Sequence, residues 1–153
     1  MKLLTVGRAI TLAITLFMFS VAAQAETVYV SGTMDERIVE ANLRNVGGLH
    51  VTSFDLVYGD LAGTGILHIY SSEFVNPITE LNIIATRKIS TADGHLFMSE
   101  VGNRIGSGVD VVSTVTGGTG MFKGSTGMLV LHGTVTDGVG VHFTYNGWIT
   151  FAQ

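Results

Sequence analysis

Arg87 and Glu100 are the residues whose type and placement point most directly to chemistry, since both fall in phase with apolar neighbours along strand-like runs. Reading Asp93-Gly94 as a two-residue hairpin loop puts Ala92 opposite His95, Ile89 opposite Met98 and Arg87 opposite Glu100. Leu81, Ile83, Ala85, Ile89, Leu96 and Met98 then share one face with the two charges. An ion pair on such a face orients a polar group of a ligand, or shifts the acidity of a carboxylate used as a general acid or base. The alternative is a salt bridge at the end of the sheet, worth under ~1 kcal/mol. Tyr145, like Tyr58 and Tyr70, adds a phenol donor, so Arg87, Glu100 and Tyr145 form the candidate ligand-binding set. Glu73 and Glu80 flank Asn76-Pro77 and are spaced to decorate a loop at the mouth.

Other chemistries find less support. The histidines His50, His68, His95, His132 and His142 lie on different strands with no HxH or HExxH spacing, so no metal site is expected. His132 and His142 share a face across the last hairpin, but neither strand supplies them a carboxylate. The chain has no Cys, which removes disulfides, thiol nucleophiles and Cys-based zinc sites. No GxSxG elbow is present, and no cofactor is expected. The glycine run Gly117–Gly127 contains neither GxGxxG opening a helix nor GxxxxGK[ST], so it is not a phosphate loop.

The elements that would position these groups are strands. Val, Ile, Thr, Tyr and Phe recur in short runs separated by Gly, Asp-Gly and Asn, and no segment keeps a 3.6-residue apolar period for long. Candidate strands are Thr27–Met34, Ile38–Arg44, Leu49–Tyr58, Gly65–Ser71, Thr79–Ser90, His95–Arg104, Val109–Thr116, Met128–Thr136 and Gly140–Phe151, with a helical turn as the alternative over Asp35–Asn45. Eight or nine short strands at this spacing predict an all-β closed barrel or a sandwich. For the last hairpin, an odd loop Asp137–Val139 pairs Gly133 with Phe143 and Leu131 with Tyr145. That register collects Leu129, Leu131, Val135, Val141, Phe143, Ile149 and Phe151 on one face and leaves His132, Thr134, Thr136, His142, Thr144 and Asn146 for water. Gly117, Gly118, Gly120, Gly124 and Gly127 read as structural, marking bulges and a barrel corner with Phe122 as an apolar plug.

Lys2 and Arg8 precede an apolar run from Ala9 to Phe19, and Ala23-Gln24-Ala25 closes the segment. This is the pattern of a secretory signal cleaved after Ala25, so residues 1–25 are a signal peptide and residues 26–153 one domain, secreted or periplasmic. Removing Lys2 and Arg8 leaves six basic against twelve acidic residues, a net charge of −6. That balance argues against nucleic acid and against an electrostatic hold on anionic lipid. An outer-membrane barrel would need two aromatic girdles, which the few aromatics do not provide, so no membrane insertion of the mature chain is expected.

The segment GGTGMFKGSTG at 117–127, followed by MLVLHGTVTDGVGVHFTYNGWI, resembles the closing strands of the allene oxide cyclase and dirigent-like barrel families of the calycin-like group. Gly59–Gly65, Asn76-Pro77 and Asp93-Gly94 fall in the same order as in those families, and the resemblance spans about two-thirds of the mature chain. It implies an antiparallel closed barrel of eight strands, with nine as the alternative, in a bacterial-type exported member with a small, partly apolar interior, and self-association into a homo-oligomer. Two functions then stand: non-catalytic binding of an apolar small molecule or a structural and interaction role, and cyclase or isomerase chemistry inside the barrel. A connected cavity of about 300 Å3 or more would favour a ligand or substrate. A barrel filled by Leu129, Leu131, Phe143 and Ile149 would sink both ligand readings and leave the structural role.

Overall fold

A computed structural model describes the backbone of residues 25–43, 49–76, 80–136 and 140–152, and the side chains of these apart from 42, 43, 49 and 71–76. Eight strands, β1 (Glu26–Leu43), β2 (Leu49–Gly59), β3 (Gly63–Asn76), β4 (Glu80–Thr91), β5 (Gly94–Ile105), β6 (Gly108–Gly118), β7 (Thr126–Val135) and β8 (Gly140–Phe151), pair antiparallel in chain order into a closed barrel. The first residues of β1 pair with β8, from Glu26–Phe151 to Arg37–Gly140, and its later ones with β2, from Gly32–Gly59 to Leu43–Leu49. One long strand therefore closes the sheet, and no open edge remains.

That strand corrects two expectations. Thr27–Met34 and Ile38–Arg44 are a single element, and the helical turn considered over Asp35–Asn45 does not form in its described part, which is strand to Leu43. Continuous pairing on both sides overrides the charged stretch Asp35-Glu36-Arg37, and the irregularity is limited to a bulge at Val39, between the Ile38–Ser53 and Glu40–Thr52 pairs.

The β4–β5 hairpin also differs from its expected register. The loop is Ala92-Asp93, with Thr91 opposite Gly94, so Ile89 faces Leu96, Arg87 faces Met98 and Ala85 faces Glu100. Thr91 Oγ1 accepts the Asp93 N–H at 3.1 Å and donates to the Gly94 carbonyl at 3.2 Å, which fixes the tighter turn. Gly94 lies at φ +140, and a Cβ there would run into the Thr119 carbonyl. Packing against the glycine run, more than the turn itself, demands glycine at this position. A slip of two residues preserves the face assignment, so the inward set expected for β4 and β5 stands.

The β7–β8 hairpin has the expected register, with Gly133 opposite Phe143 and Leu131 opposite Tyr145. The connecting Asp137–Val139 lies outside the described residues. A side chain on Gly133 would overlap the Phe143 ring, so the glycine leaves the space that the ring fills.

Inside, two apolar clusters occupy different levels. The larger includes Val30, Met34, Val57, Leu61, Ile89, Leu96, Met98, Val115, Leu129, Leu131, Phe143, Tyr145 and Ile149. The smaller comprises Val51, Leu67, Ile69 and Ala85, with Ile38 and Ile83 against it. Outside, His68, Ser99, Thr114, His132 and Thr144 are exposed, giving the alternation of a sheet with one dry and one wet face.

The glycine run caps the end of the barrel where β1 begins and β8 finishes. Gly117 (φ +131) sits at a bulge opposite Phe97 and Met98, and Gly120 (φ +58) begins the 3-10 turn Gly120–Phe122. The turn is tied to the β4–β5 hairpin by the Thr119 N–H donating to the His95 carbonyl at 2.8 Å and the Met121 N–H to the Asp93 carbonyl at 2.9 Å. These bonds hold Phe122 inward, 2% exposed, with its ring centroid 5.9 Å from that of Phe151. The run turns a corner here, with Phe122 packed beneath it.

Candidate functional site

Between the two apolar clusters lies a buried ionic group. Along β1 the order is Met34, Glu36, Ile38; along β2 it is Val51, Ser53, Asp55, Val57; along β4 it is Ala85, Arg87, Ile89. Each strand therefore passes inward from one apolar cluster to the other through a polar side chain. Glu36 and Asp55 are direct cross-strand partners, a like-charge pair that is unfavourable by itself. Arg87 reaches across the barrel and joins them. Its Nη2 donates to Glu36 Oε2 at 3.0 Å, its Nη1 to Asp55 Oδ2 at 2.5 Å, and its Nε to Glu100 Oε1 at 2.8 Å.

Two further bonds complete the guanidinium, from Nη2 to Glu100 Oε2 at 3.3 Å and from Nη1 to Met34 Sδ at 2.8 Å. A guanidinium has five N–H donors, and all five are engaged. Ser113 on β6 donates to Glu100 Oε1 at 2.7 Å, and the Phe143 ring lies 5.9 Å from Arg87 Cζ, within cation–π range. Gly65 stands opposite Asp55, where an added Cβ would lie 2.5 Å from Asp55 Oδ2. The glycine makes room for the carboxylate as Gly133 does for Phe143.

The electrostatics follow from burial. Desolvation pushes the Glu36 and Asp55 carboxyls above their usual range, and it outweighs the opposing pull of Arg87. Burial also works against the Arg87 charge, but the carboxylates of Glu100, Asp55 and Glu36 together prevail and hold its pKa well above the ordinary value. Three carboxyls surround one cation, so the group retains a proton more readily than isolated acids do.

Above this group, at the end carrying the β1–β2, β3–β4, β5–β6 and β7–β8 connections, the barrel opens into a cavity of about 90 Å3. Ile38, Ile69, Ile83, Val111, Val141 and Phe143 contribute to its walls, while Glu36, Arg87 and Glu100 supply polar lining. Arg104 reaches it from the rim, exposed, with its Nε donating to the Gly106 carbonyl at 2.9 Å. The cavity is well below the size expected of a ligand-enclosing barrel, and Leu129, Leu131 and Ile149 fill the interior at the closed end with Phe143 between them and the recess, so an enclosed ligand is not supported and only the unfilled end leaves room for one.

The candidate residues thus separate. Arg87 and Glu100 meet at the cavity floor as diagonal neighbours, whereas Tyr145 belongs to the larger apolar cluster. Its hydroxyl accepts the Leu61 N–H at 3.0 Å and donates to the Tyr58 carbonyl at 2.9 Å, so it secures the β2–β3 turn. Burial raises its pKa, with the Leu61 bond opposing. Tyr58 and Tyr70 are exposed, Glu80 is half-buried, and Pro77 and the Glu73 side chain lie outside the described residues. His132 and His142 each find a carboxylate on a neighbouring strand, Asp110 and Asp35, both at 2.6 Å on the exposed face. Among the described residues no group of three metal-ligating side chains forms.

Sequence reasoning missed Glu36, Asp55, Ser113 and Met34. The signal was parity, since Glu36 shares its alternation with Met34 and Ile38, and Asp55 with Val51 and Val57.

No family model and no curated protein matches the chain. Among solved structures it is similar to the pterocarpan synthase dirigent protein PsPTS1, with a TM-score of 0.52 over 84% of this chain and 97% of that one, at 14% identity. The fold is dirigent-like. At this identity the likeness extends to the barrel alone, so the dirigent-like fold leaves the function to be argued from the cavity and its ionic floor.

Proposed function

We propose that the protein is an exported, non-catalytic barrel that binds one end of a small apolar molecule in the cavity at its open end. The carrying observation is the asymmetry of the interior, with one end packed solid and the other a concave, largely aliphatic recess over buried charge. Its volume of about 90 Å3 admits a short alkyl or small-ring group. The cyclase or isomerase reading has one observation in its favour, because Glu36 lines the recess with a raised pKa suited to a proton donor. Cyclase chemistry of the allene oxide type calls for an enclosed substrate, and binding fits so small a recess better.

Native mass spectrometry of the protein from its own source tests this reading. We expect a mature chain beginning at Glu26 with a bound small molecule, and loss of that molecule in an Ile83→Trp variant that fills the recess. A ligand-free protein with unchanged apolar-probe binding in Ile83→Trp would leave only the structural role. The same spectrum reports whether the chain self-associates.

A further inference from the structure

Resting on that reading, the charge and donor count of the recess set the chemical class of the ligand. We propose that the polar end of the bound molecule is a protonated amine, carried on a short aliphatic or aromatic body. Anionic head groups are disfavoured because Arg87, the buried cation at the floor, has all five N–H donors engaged by Glu36, Asp55, Glu100 and Met34. A carboxylate entering there would meet the carboxyls of Glu36 and Glu100 and find no free N–H on the guanidinium.

Acceptor capacity is what remains. Glu36 engages Arg87 through Oε2, and each carboxylate oxygen can accept more than one bond. Asp55 Oδ1, level with Glu36, and the Ser53 hydroxyl, level with Ile38 and able to donate as well as accept, are fully buried and have no hydrogen-bond partner among the described residues. The floor carries a formal charge of −2 with all three acids ionised and −1 with one proton retained, and in both states an ammonium group reduces the negative charge and an anion increases it. Among the described residues Arg104 is the other cation lining the cavity, and it is exposed at the rim and screened by water. The apolar walls restrict the body, so a hydrophilic polyamine lacks the contacts that an alkylamine gains.

Butylamine, butanol and butyrate have nearly the same shape and differ in their head groups, so titrating each into the purified protein while following the Ile83 and Val111 methyl resonances separates the possibilities. Butylamine should bind at least about tenfold more tightly than butanol, and butyrate should not bind. Glu36→Gln should remove most of the amine preference and leave butanol unchanged. Butanol binding as well as butylamine, or butyrate binding at these methyls, overturns the amine assignment while leaving the binding site in place. If none of the three shifts the methyls, the recess binds nothing of this size and both proposals fall.

Discussion

The two ends of the barrel are closed by opposite means. At one end five glycines let the backbone turn sharply and place a single ring, Phe122, against Phe151 and the apolar interior. Toward the other, the larger cluster gives way to an ionic layer that joins β1, β2, β4 and β5, with β6 attached through Ser113, and beyond it the smaller apolar cluster lines a recess. Apolar packing tolerates approximate filling, whereas a buried charge needs every partner present. The first end is therefore robust in kind and the second demanding.

Removing Arg87 should break the comparison most severely. Arg87→Met leaves three carboxyls buried without their cation and should cost about 3–5 kcal/mol at neutral pH, read from urea unfolding. Replacing Glu36, Asp55 and Glu100 by their amides in the same background should recover most of the loss; no recovery would mean that Arg87 acts through packing alone. At the closed end, Phe122→Ala should cost a similar ~3–5 kcal/mol with no change in its pH dependence. Gly120→Ala should cost about 1–3 kcal/mol, because a Cβ would meet the Asp93 carbonyl and the backbone sits at φ +58.

Acid provides a finer contrast. Glu36 and Asp55 have raised pKa values in the fold, so between their unfolded and folded values the native state holds more protons than the unfolded chain. Their contribution to stability is present below the unfolded values, near pH 4, and is lost as pH rises through the folded values. The urea midpoint should fall over that interval, and the Glu36→Gln, Asp55→Asn double variant should flatten the fall. The smallest effect is expected on the outer wall. Asp110→Asn separates an exposed pair with His132 and should change stability by less than about 0.5 kcal/mol in thermal unfolding.

Alternation made much of this visible in the linear chain. It fixed the inward faces of β4, β5, β7 and β8, and it paired Gly133 with Phe143 because only one loop parity gathers the apolar residues. It tolerated an error of two residues at Asp93-Gly94, since a period of two cannot tell one even register from another. The hydrogen bonds of Thr91 and the contact of Gly94 with Thr119 make that distinction, and both depend on the closed chain.

The all-β class and the inward placement of Arg87 and Glu100 are legible in the linear chain, because they follow from local backbone preference and side-chain parity. That Glu36 and Asp55, 51 and 32 residues before Arg87, share its guanidinium, and that Tyr145 is committed to a turn, emerges with the closed barrel. Barrel closure brings distant strands to one level, and strand parity carries no information about which side chains meet across the interior.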